Sequence, residues 1–175
     1  LADAATEANV RSLDLSATSI VAFATHGLLS GELTGLAEPA LVMTPPDAAS
    51  SADDGLLTAS EIAELRLSAD WVILSACNTA GGDGGADGEG LSGLARAFLY
   101  AGARAILVSH WPVRDDAAAR LTTDTLSIIA DDPTIGRSEA LRRAMVSLMD
   151  DERDLSLAHP SAWAPFVIVG EGGPS

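Results

Sequence analysis

His26 and Cys77 are the residues of this 175-residue chain best suited to covalent chemistry. A thiol of ordinary pKa is only slightly ionised at neutral pH, and a nearby imidazole raises its reactive fraction. The same ring can then hand the proton to a leaving amine. Such a pair is the machinery for splitting a peptide bond through a thioester. The negative charge that develops on the attacked carbonyl needs preorganised donors, each worth about 3 kcal/mol. The backbone N–H groups of Gly27 and Cys77 are the candidates, glycine allowing close approach. The competing reading is inert, since a lone cysteine in an apolar chain is commonly a buried core residue.

Both residues stand just past an apolar run. Ser19-Ile20-Val21-Ala22-Phe23-Ala24 reads as a buried strand ending at Thr25-His26-Gly27. Trp71-Val72-Ile73-Leu74 reads as a second, with Ser75-Ala76-Cys77 at its C-terminal end. In an open parallel sheet, ligands bind outside the carboxyl ends of the strands. The two side chains can therefore meet at one edge although 51 positions separate them. Ala105-Ile106-Leu107-Val108 predicts a third strand, closing with Ser109-His110-Trp111-Pro112, and Phe166-Val167-Ile168-Val169 a last one. Leu41-Val42-Met43 predicts a short strand.

Amphipathic helices alternate with these strands. Thr58-Ala59-Ser60-Glu61 has the capping-box spacing and opens a helix over 60–65. Leu91, Leu94, Ala95, Phe98 and Leu99 form a stripe that Gly102 ends. A further helix runs over 115–130 with acidic residues at its N-terminal end. Leu141, Ala144, Met145, Leu148 and Met149 mark another. Residues 45–54 read as a surface loop, and 78–90 as a Gly- and Asp-rich loop of the length that usually carries function. The alternation predicts one α/β domain with a parallel sheet covered on both faces.

Composition narrows the function classes. The formal charge is −15 and the pI is near 4.2, so phosphate backbones and anionic headgroups are repelled and a basic segment is attracted. Nucleic acid and membrane surfaces are therefore not expected partners. All ten basic residues are Arg, a bias that points to a GC-rich bacterial genome. No stretch approaches the roughly 18 apolar residues that cross a bilayer. The N-terminus has neither a signal-peptide pattern nor an initiator Met, which reads as part of something longer. One cysteine excludes an internal disulfide framework and fits a reducing cytoplasm.

No cofactor or metal is expected. Asp83, Asp87 and Glu89 do not match an EF-hand and read as a solvated loop. No Gly-Lys-Ser/Thr or GxGxxG follows a strand. Trp111 and Trp163 are too scattered for a base-stacking platform and read as core or pocket-wall residues. His110 reads as a pocket-rim or surface residue, and His159 as part of the loop before the last strand.

Six strings carry a resemblance. Ala24-Thr25-His26-Gly27, Leu74-Ser75-Ala76-Cys77-Asn78-Thr79-Ala80 and Gly88-Glu89-Gly90-Leu91 come first. Ala97-Phe98-Leu99-Tyr100-Ala101-Gly102-Ala103, Trp111-Pro112-Val113 and Trp163-Ala164-Pro165-Phe166 follow. In that order they resemble the CHAT domain over nearly the whole chain, and Ala5-Thr6-Glu7-Ala8-Asn9-Val10 resembles the segment leading into its His strand. That family belongs with the caspases and separases and often follows tetratricopeptide repeats in bacterial proteins. The His-to-Cys spacing is close to the roughly 50 residues of caspases, although Ser75-Ala76-Cys77-Asn78-Thr79 replaces their nucleophile string. His110 departs from the apolar residue the family usually has there.

The resemblance implies a three-layer α/β/α caspase-like fold with a mainly parallel sheet. It implies that 1–175 is the C-terminal, catalytic portion of the domain, with its first strands and any repeats upstream. His26 is then the base, Cys77 the nucleophile, and Ser75 a residue lining the primary specificity pocket. Asp115 matches a position that can receive a basic substrate side chain, Arg or Lys before the scissile bond; its other reading is a helix N-cap or first-turn acid. The implied function is a cysteine endopeptidase acting on proteins or peptides, activated by attached tetratricopeptide repeats or another partner. Two other classes stand beside it. One is a catalytically silent caspase-like regulatory module that binds proteins; the other is a flavodoxin-like binder of small molecules at the same strand ends.

Overall fold

The computed structural model describes residues 4–46, 49–50, 53–74 and 93–173. Among these residues the strands are β1 (Ile20–Phe23), β2 (Gly27–Leu28), β3 (Ala40–Val42), β4 (Leu56–Thr58), β5 (Trp71–Leu74), β6 (Ala105–Ser109) and β7 (Phe166–Gly170). They form two sheets. The larger has the order β1-β5-β6-β7, and the smaller the order β2-β3-β4.

In the larger sheet β1 runs parallel to β5, and β5 parallel to β6. Every residue of β5 and β6 is buried, which explains why both read as unbroken apolar runs rather than alternating ones. Alternate side chains still go to opposite faces. Val72, Leu74, Ile106 and Val108 enter one core, whereas Trp71, Ile73, Ala105 and Leu107 enter another.

Helices cover both cores. After α1 (Glu7–Ser12), α2 (Ala59–Glu64) and α3 (Gly93–Tyr100) bring Ile62, Leu94 and Phe98 onto the first face. On the second, α4 (Asp115–Asp131) and α5 (Arg137–Met149) bring Ala117, Leu121, Leu141, Ala144 and Leu148. The result is the expected three-layer α/β/α arrangement with a mostly parallel sheet.

The capping box is present in full. Glu61 N–H donates to the Thr58 hydroxyl, and the Glu61 carboxylate accepts from Thr58 N–H at 2.9 Å. Gly102 closes α3 as expected, at φ +110°. Ala103 N–H reaches back to the Phe98 carbonyl and Gly102 N–H to that of Leu99, the pattern of a Schellman cap. A Cβ at Gly102 would stand 2.3 Å from the Leu67 carbonyl oxygen, so glycine is needed for space as well as for φ.

Several features differ from the sequence reading. β7 is antiparallel to β6, with Phe166 opposite Ser109. Two four-residue helices, α6 (Leu155–Ala158) and α7 (Pro160–Trp163), deliver the chain to the carboxyl edge instead of carrying it back across the sheet. His159 is a cap between them rather than loop, its Nδ1 accepting from Ser161 N–H. The short strand around Leu41 exists but pairs with β2 and β4 in the smaller, antiparallel sheet. Trp163 is half-buried against the second core, as expected, whereas Trp111 is 42% exposed and is not a core residue.

Candidate active site

His26 lies in the corner where the chain leaves the parallel sheet and enters the antiparallel one. β1 ends at Phe23 and β2 begins at Gly27, so three residues make the change. The parallel register pairs Phe23 with Leu74. His26 follows the first of these by three positions, and Cys77 follows the second by three in the sequence. Ser75 and Cys77 lie outside the described residues, as do the segment 78–90 and its Asp83, Asp87 and Glu89.

The imidazole is exposed and has no hydrogen-bonding partner among the described residues. Its main chain is held instead. Val42 N–H donates to the His26 carbonyl at 2.8 Å, and the half-buried Thr25 hydroxyl donates to the Val42 carbonyl. Sequence reasoning missed Thr25 and Val42 as parts of the site. The available signal was a hydroxyl residue immediately before the histidine.

Gly27 pairs with Leu41, and the Val42-to-His26 bond makes that pair the non-hydrogen-bonded kind of antiparallel rung. The Gly27 N–H is therefore turned away from β3. A backbone donor adjoining the imidazole is thus left outside the ladder.

β6 runs beside β5 in parallel, with Leu107 opposite Ile73, so its carboxyl end faces the same edge of the sheet. Asp115 follows there as the first residue of α4, with Arg114 rather than Asp115 at the N-cap. Of its two anticipated structural roles, the first-turn acid is the one seen. The neighbouring cation is engaged elsewhere, because Arg114 donates to Asp116 and to Ser156. That hydrogen bond holds the Asp116 carboxyl below its usual range. The exposed Asp115 carboxylate has no partner among the described residues. His110 is exposed too, its N–H bonded to the Pro165 carbonyl at 3.0 Å.

A cleft of about 670 Å³ runs along β1, lined by Val10, Leu13, Val21, Phe23, Thr25 and Met43 among others. It adjoins the His26 corner and is largely apolar. Among the described residues, no three His, Cys, Asp or Glu side chains converge as metal ligands. Nor is any described helix long and apolar enough to cross a membrane.

The three layers, the mostly parallel sheet and the histidine at its carboxyl edge define the class of caspase-like α/β proteins. A family model for the CHAT domain matches residues 1–171, and the chain belongs to that family. Tetratricopeptide repeat protein 28 of Mus musculus is 37% identical over 115 residues, 66% of this chain and 4% of that protein. Its Homo sapiens counterpart is 34% identical over 115 residues, with the same shares. The chain thus spans only 4% of the length of these curated relatives.

Proposed function

We propose that the chain is the catalytic part of a cysteine endopeptidase in which His26 and Cys77 act as a dyad. The observation that carries the reading is the parallel register of Phe23 with Leu74, which gives the two residues equal offsets beyond paired strand ends. His26 takes the Cys77 proton, and the thiolate adds to the scissile carbonyl. The oxyanion is stabilised by the N–H groups of Gly27 and Cys77. Collapse of the adduct breaks the C–N bond as the imidazolium protonates the leaving amine, leaving a thioester on Cys77. His26 then deprotonates water, which attacks the thioester and returns the thiol.

Ser75 lines the primary specificity pocket in this reading, and Asp115 selects Arg or Lys before the scissile bond. An unpaired carboxylate at a sheet edge suits a guanidinium or ammonium partner. The net charge of −15 favours approach of the same basic segments. The relatives are named for tetratricopeptide repeats, and the reading extends to such repeats on the same polypeptide as presenters of substrate or activator. A single cysteine supports a reducing, cytoplasmic setting.

The test is labelling of the intact parent polypeptide with a peptidyl acyloxymethyl ketone carrying Arg next to the ketone. The expected result is one thioether adduct, mapped to Cys77 by mass spectrometry and absent in Cys77→Ala. No Cys77-dependent adduct across varied peptide sequences would overturn the reading in favour of a silent, protein-binding module.

A further inference from the structure

We propose that Thr25 is a positioning residue for His26, its hydroxyl setting the point at which the antiparallel ladder stops and the imidazole is released. The inference rests on the dyad reading above. In most histidine sites a third group bonds the second ring nitrogen and fixes the ring. Among the described residues, the hydrogen bonds that hold His26 are made by its main chain.

That main chain is fixed in an unusual way. Bonded and non-bonded pairs alternate along an antiparallel ladder. Gly27 and Leu41 form a non-bonded pair, so His26 and Val42 stand where two backbone bonds would be exchanged. One of them is made, from Val42 N–H to the His26 carbonyl at 2.8 Å. The other acceptor, the Val42 carbonyl, is taken by the Thr25 hydroxyl instead of by His26 N–H. A side chain thereby ends the ladder one rung early. Val42 is itself held from the far side, because β3 pairs with β4 through Val42 opposite Leu56, and Met43 N–H bonds the Gly55 carbonyl. Thr25 is half-buried while His26 is exposed, so the pin is sheltered and the ring is free to meet a partner. Without the hydroxyl, the Val42 carbonyl would bond His26 N–H or water, and the imidazole would turn with the backbone.

The experiment measures alkylation of Cys77 by iodoacetamide, mapped by mass spectrometry, in the intact parent polypeptide from about pH 5 to about pH 9, a range spanning an ordinary thiol. Loss of the low-pH reactivity in His26→Ala establishes that the dyad operates; its retention there overturns the peptidase reading itself. Given that loss, Thr25→Val is expected to slow low-pH alkylation at least about tenfold, and Thr25→Ser to stay within about threefold of wild type. Thr58→Val, which removes the α2 cap, serves as the stability control and is expected to lower Tm without moving the pH profile. Thr25→Ala is measured as well, in case the valine variant does not fold. An unchanged profile in a folded Thr25→Val or Thr25→Ala would overturn the positioning role. So would an equal loss in Thr25→Ser, which would assign the effect to the methyl group.

Discussion

The two sheets are built on different principles. The parallel sheet is stabilised by area: β5 and β6 are buried on both faces, and each face is sealed by a helix pair. The antiparallel sheet has strands of two or three residues; it buries Ala40, Leu41 and Leu57 and is tied to its surroundings by individual hydrogen bonds. Thr25 bonds Val42, Glu61 bonds Thr58, and Glu38 accepts from Ser60 N–H at 2.8 Å. The candidate site lies on the seam. The parallel sheet places the strand ends, and the shorter antiparallel one holds the main chain of the histidine.

The comparison predicts unequal costs. Phe98, fully buried and tilted against Phe23 with ring centroids 5.3 Å apart, belongs to the first core. Phe98→Ala should destabilise the chain by about 3–5 kcal/mol in chemical unfolding. A loss below about 1 kcal/mol would show that this core does not dominate.

The next effect is on specificity rather than stability. Asp115 opens α4 after β6 at the carboxyl edge, so in the proposed dyad Asp115→Asn should lower kcat/KM for substrates with Arg before the scissile bond by about 10- to 100-fold. Tm should hardly change, since the exposed carboxylate has no described partner to lose. Equal losses for neutral and basic substrates would remove Asp115 from the specificity pocket. At the end of β4, Thr58→Ala should cost about 1 kcal/mol through the lost cap of α2. Amide exchange should rise locally in α2 while β5 and β6 keep their protection.

The smallest effects are in pH, and they run in opposite directions. Beside α4, the hydrogen bond from Arg120 holds Asp151 down to about 2. A depressed carboxylate contributes stability above its unfolded value and loses it as pH falls, here from about 4 to about 2. Asp151→Asn should flatten that acid limb. At the start of α1, burial first and the neighbouring Glu61 second hold Glu7 above its ordinary 4.5. Arg11, 3.3 Å from Glu7 and 3.2 Å from Glu61, offsets only part of this. A raised carboxyl group contributes most below its unfolded value, and the contribution is lost as pH rises through the folded value. Exchange protection of α1 should therefore fall as pH rises above the ordinary carboxyl value of 4.5. Glu7→Gln should remove that dependence while leaving the Asp151 limb intact.

The same contrast explains what could be read from the sequence. Trp71–Leu74 and Ala105–Ser109 were legible because burial on both faces forces long apolar runs, and the helix over Ala59–Glu64 because its cap is local. The match of six spaced strings to the CHAT domain was also legible, and it carried the family assignment. Gly27–Leu28 was not, since two residues have no periodicity and their pairing with β3 is long-range. The antiparallel entry of Phe166–Gly170 was hidden as well, because an apolar run does not record its direction. Within the site, His26 could be named from its place after a strand, whereas Asp115 came only from the resemblance to the family. The bond from Thr25 to Val42 spans 17 positions and left no pattern along the chain.

In the proposed dyad, His26 and Cys77 meet at the carboxyl edge of the parallel sheet. The most direct measurement is a crystal structure of the arginyl acyloxymethyl ketone adduct. The expected structure has sulfur bonded to the inhibitor at that edge, the His26 ring within about 4 Å of it, and the inhibitor oxygen facing the Gly27 N–H. Cys77 and His26 on opposite faces of the sheet would contradict it.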